Sequence, residues 1–237
     1  MESTAEPLRE ESVVFLLDVD NTLLDNDRVI ADLMRYLDVE VGSECRERYW
    51  RIFNAIRSEL GYADYLGALQ RYRLEHPHDH RLTAVSSYLI NYRYANRLYP
   101  ESLDVIERLR SLGTVVIVSD GDVVLQPHKI ERSGLYDAVD GRLLIYVHKE
   151  RELADIAERY PARQYVVVDD KLRLLSAFKR AWGGRVVTMF PQQGHYAHDA
   201  SVREAFPPAD VTIDRIGDLL SVDVGTLFGL VARSKRA

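Results

Sequence analysis

Four apolar runs constrain this chain more than any other feature: Val13-Val14-Phe15-Leu16-Leu17, then 115–118, 165–168 and 185–189, each halted by polar or turn residues. Consecutive apolar, largely β-branched residues belong to strands buried on both faces, which is the environment of a parallel sheet covered by helices. Helix-period stretches separate them, such as Leu103, Ile106 and Leu109, or Leu172, Leu175 and Phe178. Strand and helix in alternation imply parallel pairing. A further run at 143–147 and a short Val211-Thr212-Ile213 edge segment bring the expected sheet to five or six strands. With 237 residues, 46% of them hydrophobic, the chain can bury one substantial core and a smaller second one.

The second core is expected between 25 and 99, where the pattern is helical only: Ile30, Leu33, Met34 and Leu37, then Tyr49, Ile52, Phe53 and Ile56, then Tyr62, Tyr65, Leu66 and Leu69. After a polar His76-Pro77-His78-Asp79-His80 loop, Val85, Tyr88, Leu89 and Tyr92 resume helical spacing. This insert follows the first strand directly, so it should lie near the sheet's carboxyl edge, where ligands bind in such folds. The expected division is therefore a catalytic core of 1–24 and 100–237 and a helical cap of 25–99. The ends, 1–11 and 232–237, read as solvated tails.

Charge and composition exclude other classes. Lys and Arg total 31 against 37 Asp and Glu, a formal charge of -6, so long-range attraction to nucleic acid is not expected. No apolar run approaches the ~20 residues needed to cross a bilayer. A single cysteine, Cys45, and a polar N-terminal segment without a secretory apolar region point to a cytosolic protein without disulfides. Neither a Walker loop nor a Gly-x-Ser-x-Gly elbow is present.

The chemistry is concentrated where the apolar runs end. Asp18-Val19-Asp20-Asn21-Thr22 places two carboxylates two residues apart at the end of the first strand, on one side of the chain. Semi-buried carboxylates so close repel unless a cation or proton is shared, which favours Mg²⁺ or divided acid and base roles. The second run ends in Ser119-Asp120-Gly121-Asp122, where the hydroxyl and turn N–H groups could hold phosphate oxygens. Lys149 follows the 143–147 run and could neutralise an anion. Asp169 and Asp170 follow a fully apolar run, a placement that is costly unless they are hydrogen-bonded or bind metal.

Taken in order, these four segments resemble the haloacid dehalogenase superfamily, whose members carry Asp-x-Asp-x-Thr, then Ser or Thr, then Lys, then an acidic pair. The resemblance implies a three-layer Rossmann-like α/β parallel-sheet core with an inserted helical cap. It implies a Mg²⁺-dependent phosphatase acting on a small phosphorylated metabolite through an aspartyl-phosphate intermediate; from charge and hydropathy, no nucleic-acid or membrane partner is expected. Asp18 would be the nucleophile, and Asp20 would protonate the leaving oxygen and then activate water. Mg²⁺ would be held by the Asp18 side chain, the Asp20 backbone carbonyl, Asp169 and Asp170. Ser119, with the Asp120-Gly121 turn, and Lys149 would bind the phosphoryl oxygens, and Thr22 would orient the nucleophile's loop. A phosphomutase and a non-catalytic phosphate-binding protein of the same fold are the alternatives. Lys149 lacks the glycine before it and the proline after it that are common in the family, and Lys129 and Lys171 are its rivals.

Other residues have ordinary readings. His76, His78 and His80 belong to a solvated loop, Cys45 to a buried inert thiol, and the cap's aromatics to helix-on-helix packing. One or two of Arg46, Arg48, Arg51, Arg57, Arg71 and Arg73 are expected to meet an anionic leaving group, without a basis for choosing. His195 and His198, after the 185–189 run, read as surface-loop residues.

Overall fold

A computed structural model describes residues 11–223. Six parallel strands form one sheet: β1 (Glu11–Leu17), β2 (Thr114–Asp120), β3 (Leu143–Tyr146), β4 (Ala162–Val168), β5 (Val186–Pro191) and β6 (Val211–Ile213), in the order β3-β2-β1-β4-β5-β6. Period-two alternation assigns each strand's side chains to two different cores. Phe15, Leu17, Val115, Ile117, Val166 and Val168 face one helical layer, whereas Val14, Leu16, Val116, Val118, Tyr165 and Val167 face the other. The three-layer α/β architecture expected from the sequence is the one observed.

The helices that follow the first strand are α1 (Asn26–Glu40), α2 (Ser43–Leu60), α3 (Tyr65–Glu75) and α4 (Leu82–Ile90). They surround an apolar cluster of their own that includes Leu33, Tyr49, Phe53, Tyr65 and Leu89. Asp25 and Asp64 cap α1 and α3 by accepting the N–H groups of Arg28 and Gly67. The helix α2 stops at Gly61, whose φ of 82° needs glycine. A Cβ there would also stand 2.4 Å from His148, so the end of α2 lies directly on the loop after β3.

The remaining helices flank the sheet: α5 (Ser102–Arg110), α6 (Leu125–Arg132), α7 (Leu135–Ala138), α8 (Leu153–Arg159), α9 (Leu172–Trp182), and the short α10 (Gly194–His198) and α11 (Ala200–Glu204). The four-helix insert rests on α6, whose Leu125 joins the insert's apolar cluster and whose His128 Nε2 lies 2.6 Å from the Ile90 carbonyl. Its two connections run side by side, Asp25 N–H donating to Arg97 O at 2.7 Å and Tyr99 N–H to Leu23 O at 2.9 Å.

The structure departs from sequence expectations in three places. The 143–147 run ends one residue early, and β3 is only half-buried because it forms the sheet edge, leaving Val147 exposed. Tyr92 lies beyond the end of α4, and Tyr94 is buried in the sheet's core, so these rings do not continue the insert's helix. Of the expected tails, Glu11 begins β1, while 1–10 and 232–237 lie outside the described residues. Among the described residues no helix is long and apolar enough to cross a membrane.

Candidate active site

The strand order reverses direction between β1 and β4, and the crevice at their carboxyl ends is where open α/β sheets bind ligands. Both strands end there in acids. Asp18 N–H donates to Val168 O at 3.0 Å, and Asp169 N–H to Met189 O at 3.2 Å, so strand pairing fixes the backbone under each carboxylate. After β1 the chain folds back on itself, with the N–H groups of Thr22, Leu23 and Leu24 all directed at Val19 O. Asn21 supplies the left-handed turn this needs, φ 63°, a conformation asparagine tolerates better than most residues. Its side-chain oxygen then accepts the Asn26 and Asp27 N–H groups at the start of α1.

Asp18, Asp169 and Asp170 are 1–3% exposed, and one oxygen of each lies within 4.8 Å of the others. Lys149 Nζ stands 2.5 Å from Asp18 Oδ1 and 2.7 Å from Asp169 Oδ2, and also donates to Val118 O at 3.1 Å. Thr22 Oγ1 donates to Asp18 Oδ2 at 3.3 Å and accepts the Asp170 N–H at 3.1 Å, joining the two loops. Burial raises the Asp18 carboxyl, but Lys149 and then Lys171 outweigh it and hold the group below its ordinary value. For Asp169 and Asp170 burial wins, and both are raised, Asp170 strongly. The Lys149 ammonium loses solvation by burial, yet Asp169 and Asp18 keep it above the usual lysine value.

Asp170 is the member left incomplete. Neither of its buried carboxylate oxygens has a hydrogen-bond partner, and Lys171 Nζ reaches only to 3.4 Å. A desolvated carboxylate without donors is costly, and a hard divalent cation is a chemistry that would satisfy it together with its two neighbours. The three carboxylates and two ammoniums leave one formal negative charge; a divalent cation would reverse that sign and favour a dianion.

The other sequence candidates fall around this cluster. Asp20 projects from the same turn and is held by Lys129 Nζ at 2.7 and 3.0 Å and by Gln126 Nε2 at 3.3 Å. Gln126 also donates to buried Ser119 Oγ at 2.8 Å, linking the ends of β1 and β2. In the β2 turn, the Gly121 N–H expected to face a phosphate is used within the protein. The Gly121 N–H is already donated to Tyr146 O at 3.0 Å, and the Asp120 carboxylate accepts the Lys149 N–H at 2.7 Å, so both tie β2 to the strand beside it. The competing lysines each meet a different carboxylate: Lys149 on Asp18 and Asp169, Lys129 on Asp20, Lys171 on Asp170.

A cavity of about 260 Å³ opens between the insert and this edge, with Asp20, Asp120 and Asp170 on its sheet side. Sequence reasoning does not select Gln126, which carries no motif signal, does not choose Arg57 among the insert arginines, and reads His195 as a surface-loop residue. His195 does reach the cavity, with Nδ1 2.7 Å from Asp27 Oδ1. Its loop approaches so closely that a Cβ on Gly194 would stand 2.5 Å from that of Asn21. The three loop histidines form no metal cluster with other residues; among the described residues, Asp18, Asp169 and Asp170 are the group placed to hold an ion.

Known proteins resemble this chain in sequence and in fold. A family model described as haloacid dehalogenase-like hydrolase matches residues 13–181. A crystal structure of a haloacid dehalogenase-like hydrolase from Burkholderia xenovorans is 59% identical, covering 90% of this chain and 99% of that one with a TM-score of 0.87. Two more distant structures share the fold: the HAD-hydrolase YfnB from Bacillus subtilis bound to magnesium (15% identity, 90% and 98% coverage, TM-score 0.58) and an L-2-haloacid dehalogenase (17%, 88% and 97%, 0.62). No curated protein matches the chain.

Proposed function

The chain belongs to the haloacid dehalogenase-like hydrolases, and we propose that within this family it is a Mg²⁺-dependent phosphatase of a small phosphomonoester. The observation that carries this reading is the Asp170 carboxylate, buried without a hydrogen-bond partner beside Asp18 and Asp169. These three side chains would hold Mg²⁺, which when bound supplies positive charge that offsets the repulsion between a carboxylate and a phosphate dianion.

Asp18 is the nucleophile in this reading. Thr22 and Lys149 fix its two oxygens, so its orientation is set before a substrate arrives. Attack on phosphorus forms an aspartyl-phosphate at Asp18 and breaks the bond to the leaving oxygen, which takes a proton from the carboxyl of Asp20. Asp20 then accepts a proton from the water that hydrolyses the intermediate, returning to its starting state. Ser119 and Lys149, the latter in contact with Asp18, would donate to the phosphoryl oxygens, where charge accumulates in the transition state. Asp20 also distinguishes this chemistry from dehalogenation, because an alkoxide leaving group needs a proton and a halide does not.

Phosphate release from a panel of small phosphomonoesters, with Mg²⁺ and with chelator, tests the proposal. Turnover should require Mg²⁺ and fall on the order of 10⁴-fold or more in Asp18→Asn, which removes the nucleophilic charge at nearly constant volume. Wild-type activity in that variant, or undiminished activity in chelator, would sink the mechanism. Transfer of the phosphoryl group to a sugar instead of water would identify a phosphomutase.

A further inference from the structure

The cavity above the candidate active site is small, about 260 Å³, and its charges are unevenly answered. Four residues with cationic or protonatable side chains line it. Lys171 stands 3.4 Å from Asp170, Arg173 2.5 Å from Glu150, and His195 2.7 Å from Asp27, so each has a carboxylate of its own. Arg57, from α2, has none among the described residues; its Nη2 donates to the phenol of Tyr196, a neutral group, at 2.5 Å.

The other arginines singled out on α2 and α3 do not share this situation. Arg46 is paired with Asp38 and Glu47, Arg48 with Glu44, and Arg71 with Glu59, while Arg51 and Arg73 are exposed. None of them lines this cavity. Arg57 is half-buried one turn from Phe53, with Tyr62 on the same wall, and a guanidinium in such partly apolar surroundings interacts with an anion more strongly than one in open water.

Asp20, Asp120 and Asp170 on the sheet side would repel an anionic group placed on them without the balancing cations beneath. The cavity thus offers two separate positions for negative charge: the floor, with Lys149 and the acidic cluster that would hold a divalent cation, and the insert wall, with Arg57. Resting on the phosphatase reading above, we propose that Arg57 binds a second anionic group on the leaving portion of the substrate. The substrate class is then a small phosphomonoester that carries an additional carboxylate or phosphate. Tyr196, reaching from the segment after β5, accepts the hydrogen bond of this guanidinium.

Matched three-carbon esters provide the test: propyl phosphate, 3-phosphooxypropanoate and propane-1,3-diyl bisphosphate, each assayed with the full chain and Mg²⁺. The wild type should favour one or both dianionic-plus esters over propyl phosphate by roughly ten- to hundredfold in kcat/KM, the range of a charge-assisted hydrogen bond. Which of the two leads decides between carboxylate and phosphate. In Arg57→Met the ratio should fall to about one, Arg57→Lys should keep part of it, and exposed Arg51→Met should leave it as in wild type. Equal use of all three esters by the wild type, or a preference that survives Arg57→Met, overturns the proposal while leaving the phosphatase reading intact. Calorimetric binding of the same esters to Asp18→Asn separates the two ideas. A binding preference that disappears on adding Arg57→Met, in a chain whose wild type hydrolyses no ester, would retain the subsite and overturn the phosphatase; no turnover and no preference would overturn both.

Discussion

The two halves of the molecule handle charge in opposite ways. At the carboxyl edge of the sheet, Asp18, Lys129, Lys149, Asp169 and Asp170 are all buried; Lys149 meets Asp18 and Asp169, Lys129 meets Asp20, and the Asp170 carboxylate has no hydrogen-bond partner. In the four-helix insert the buried cluster is apolar and aromatic, with Trp50, Phe53 and Tyr65 stacked at centroid separations of 4.7 Å, and its ion pairs lie at the surface. Buried ion pairs are expensive to assemble and add little net stability, so a fold concentrates them where chemistry uses them. The insert is stabilised in the ordinary way, by area removed from water, and contributes shape and Arg57 to the cavity.

Breaking one ion pair in each half should expose that contrast most strongly. Lys149→Met leaves Asp18 and Asp169 buried without their ammonium and should cost about 3–5 kcal/mol in denaturant unfolding. Arg46→Met, which removes the surface pairs with Asp38 and Glu47, should cost less than about 1 kcal/mol. Comparable losses would mean that the two regions do not differ as described.

Truncating the aromatic stack tests the insert's side. Phe53→Ala should destabilise by about 3–4 kcal/mol through lost burial and a residual cavity. Hydrogen exchange should then accelerate in α1–α4 while β1 and β4 keep their protection. Simultaneous loss in both regions would show that the insert and sheet unfold as one unit.

The smallest effect belongs to the connection between the halves. Burial raises the Asp32 carboxyl, but hydrogen bonds from Tyr92 and Arg97 outweigh it and hold the group below its ordinary value. A carboxyl lowered in the folded state contributes stability above its unfolded value of 3.8 that disappears as pH falls through the folded value. Asp32→Asn should therefore cost about 1 kcal/mol at neutral pH. It should also flatten the part of the acid-unfolding profile that lies below 3.8. An unchanged profile would show that this network does not stabilise the junction.

Much of the architecture was legible because its signals are local. Strands buried on both faces must be apolar at every position, and the positions where those runs stop are the positions where Asp18, Ser119, Lys149 and Asp169 emerge. The half-buried β3 is one residue shorter than its apolar run, because an edge strand has a weaker pattern at its end. Tyr92 fitted the spacing of α4, yet the helix ends at Ile90, and nothing in a 3.6-residue period reveals where the chain turns back to the sheet.

What the sequence determined by itself was the alternation of elements, the parallel sheet and the acids at its carboxyl edge, since each follows from periodicity over a few neighbouring residues. Only the tertiary structure decided which lysine meets which carboxylate, that Gly121 N–H is already used, and that Arg57 is the insert arginine facing the cavity. Those outcomes depend on contacts between residues far apart in the chain, such as Lys129 with Asp20 or Arg57 with Tyr196. A helical arginine has the same local signature whether a neighbouring glutamate neutralises it or a distant loop leaves its charge available. The difference lies in the partner brought to it through space.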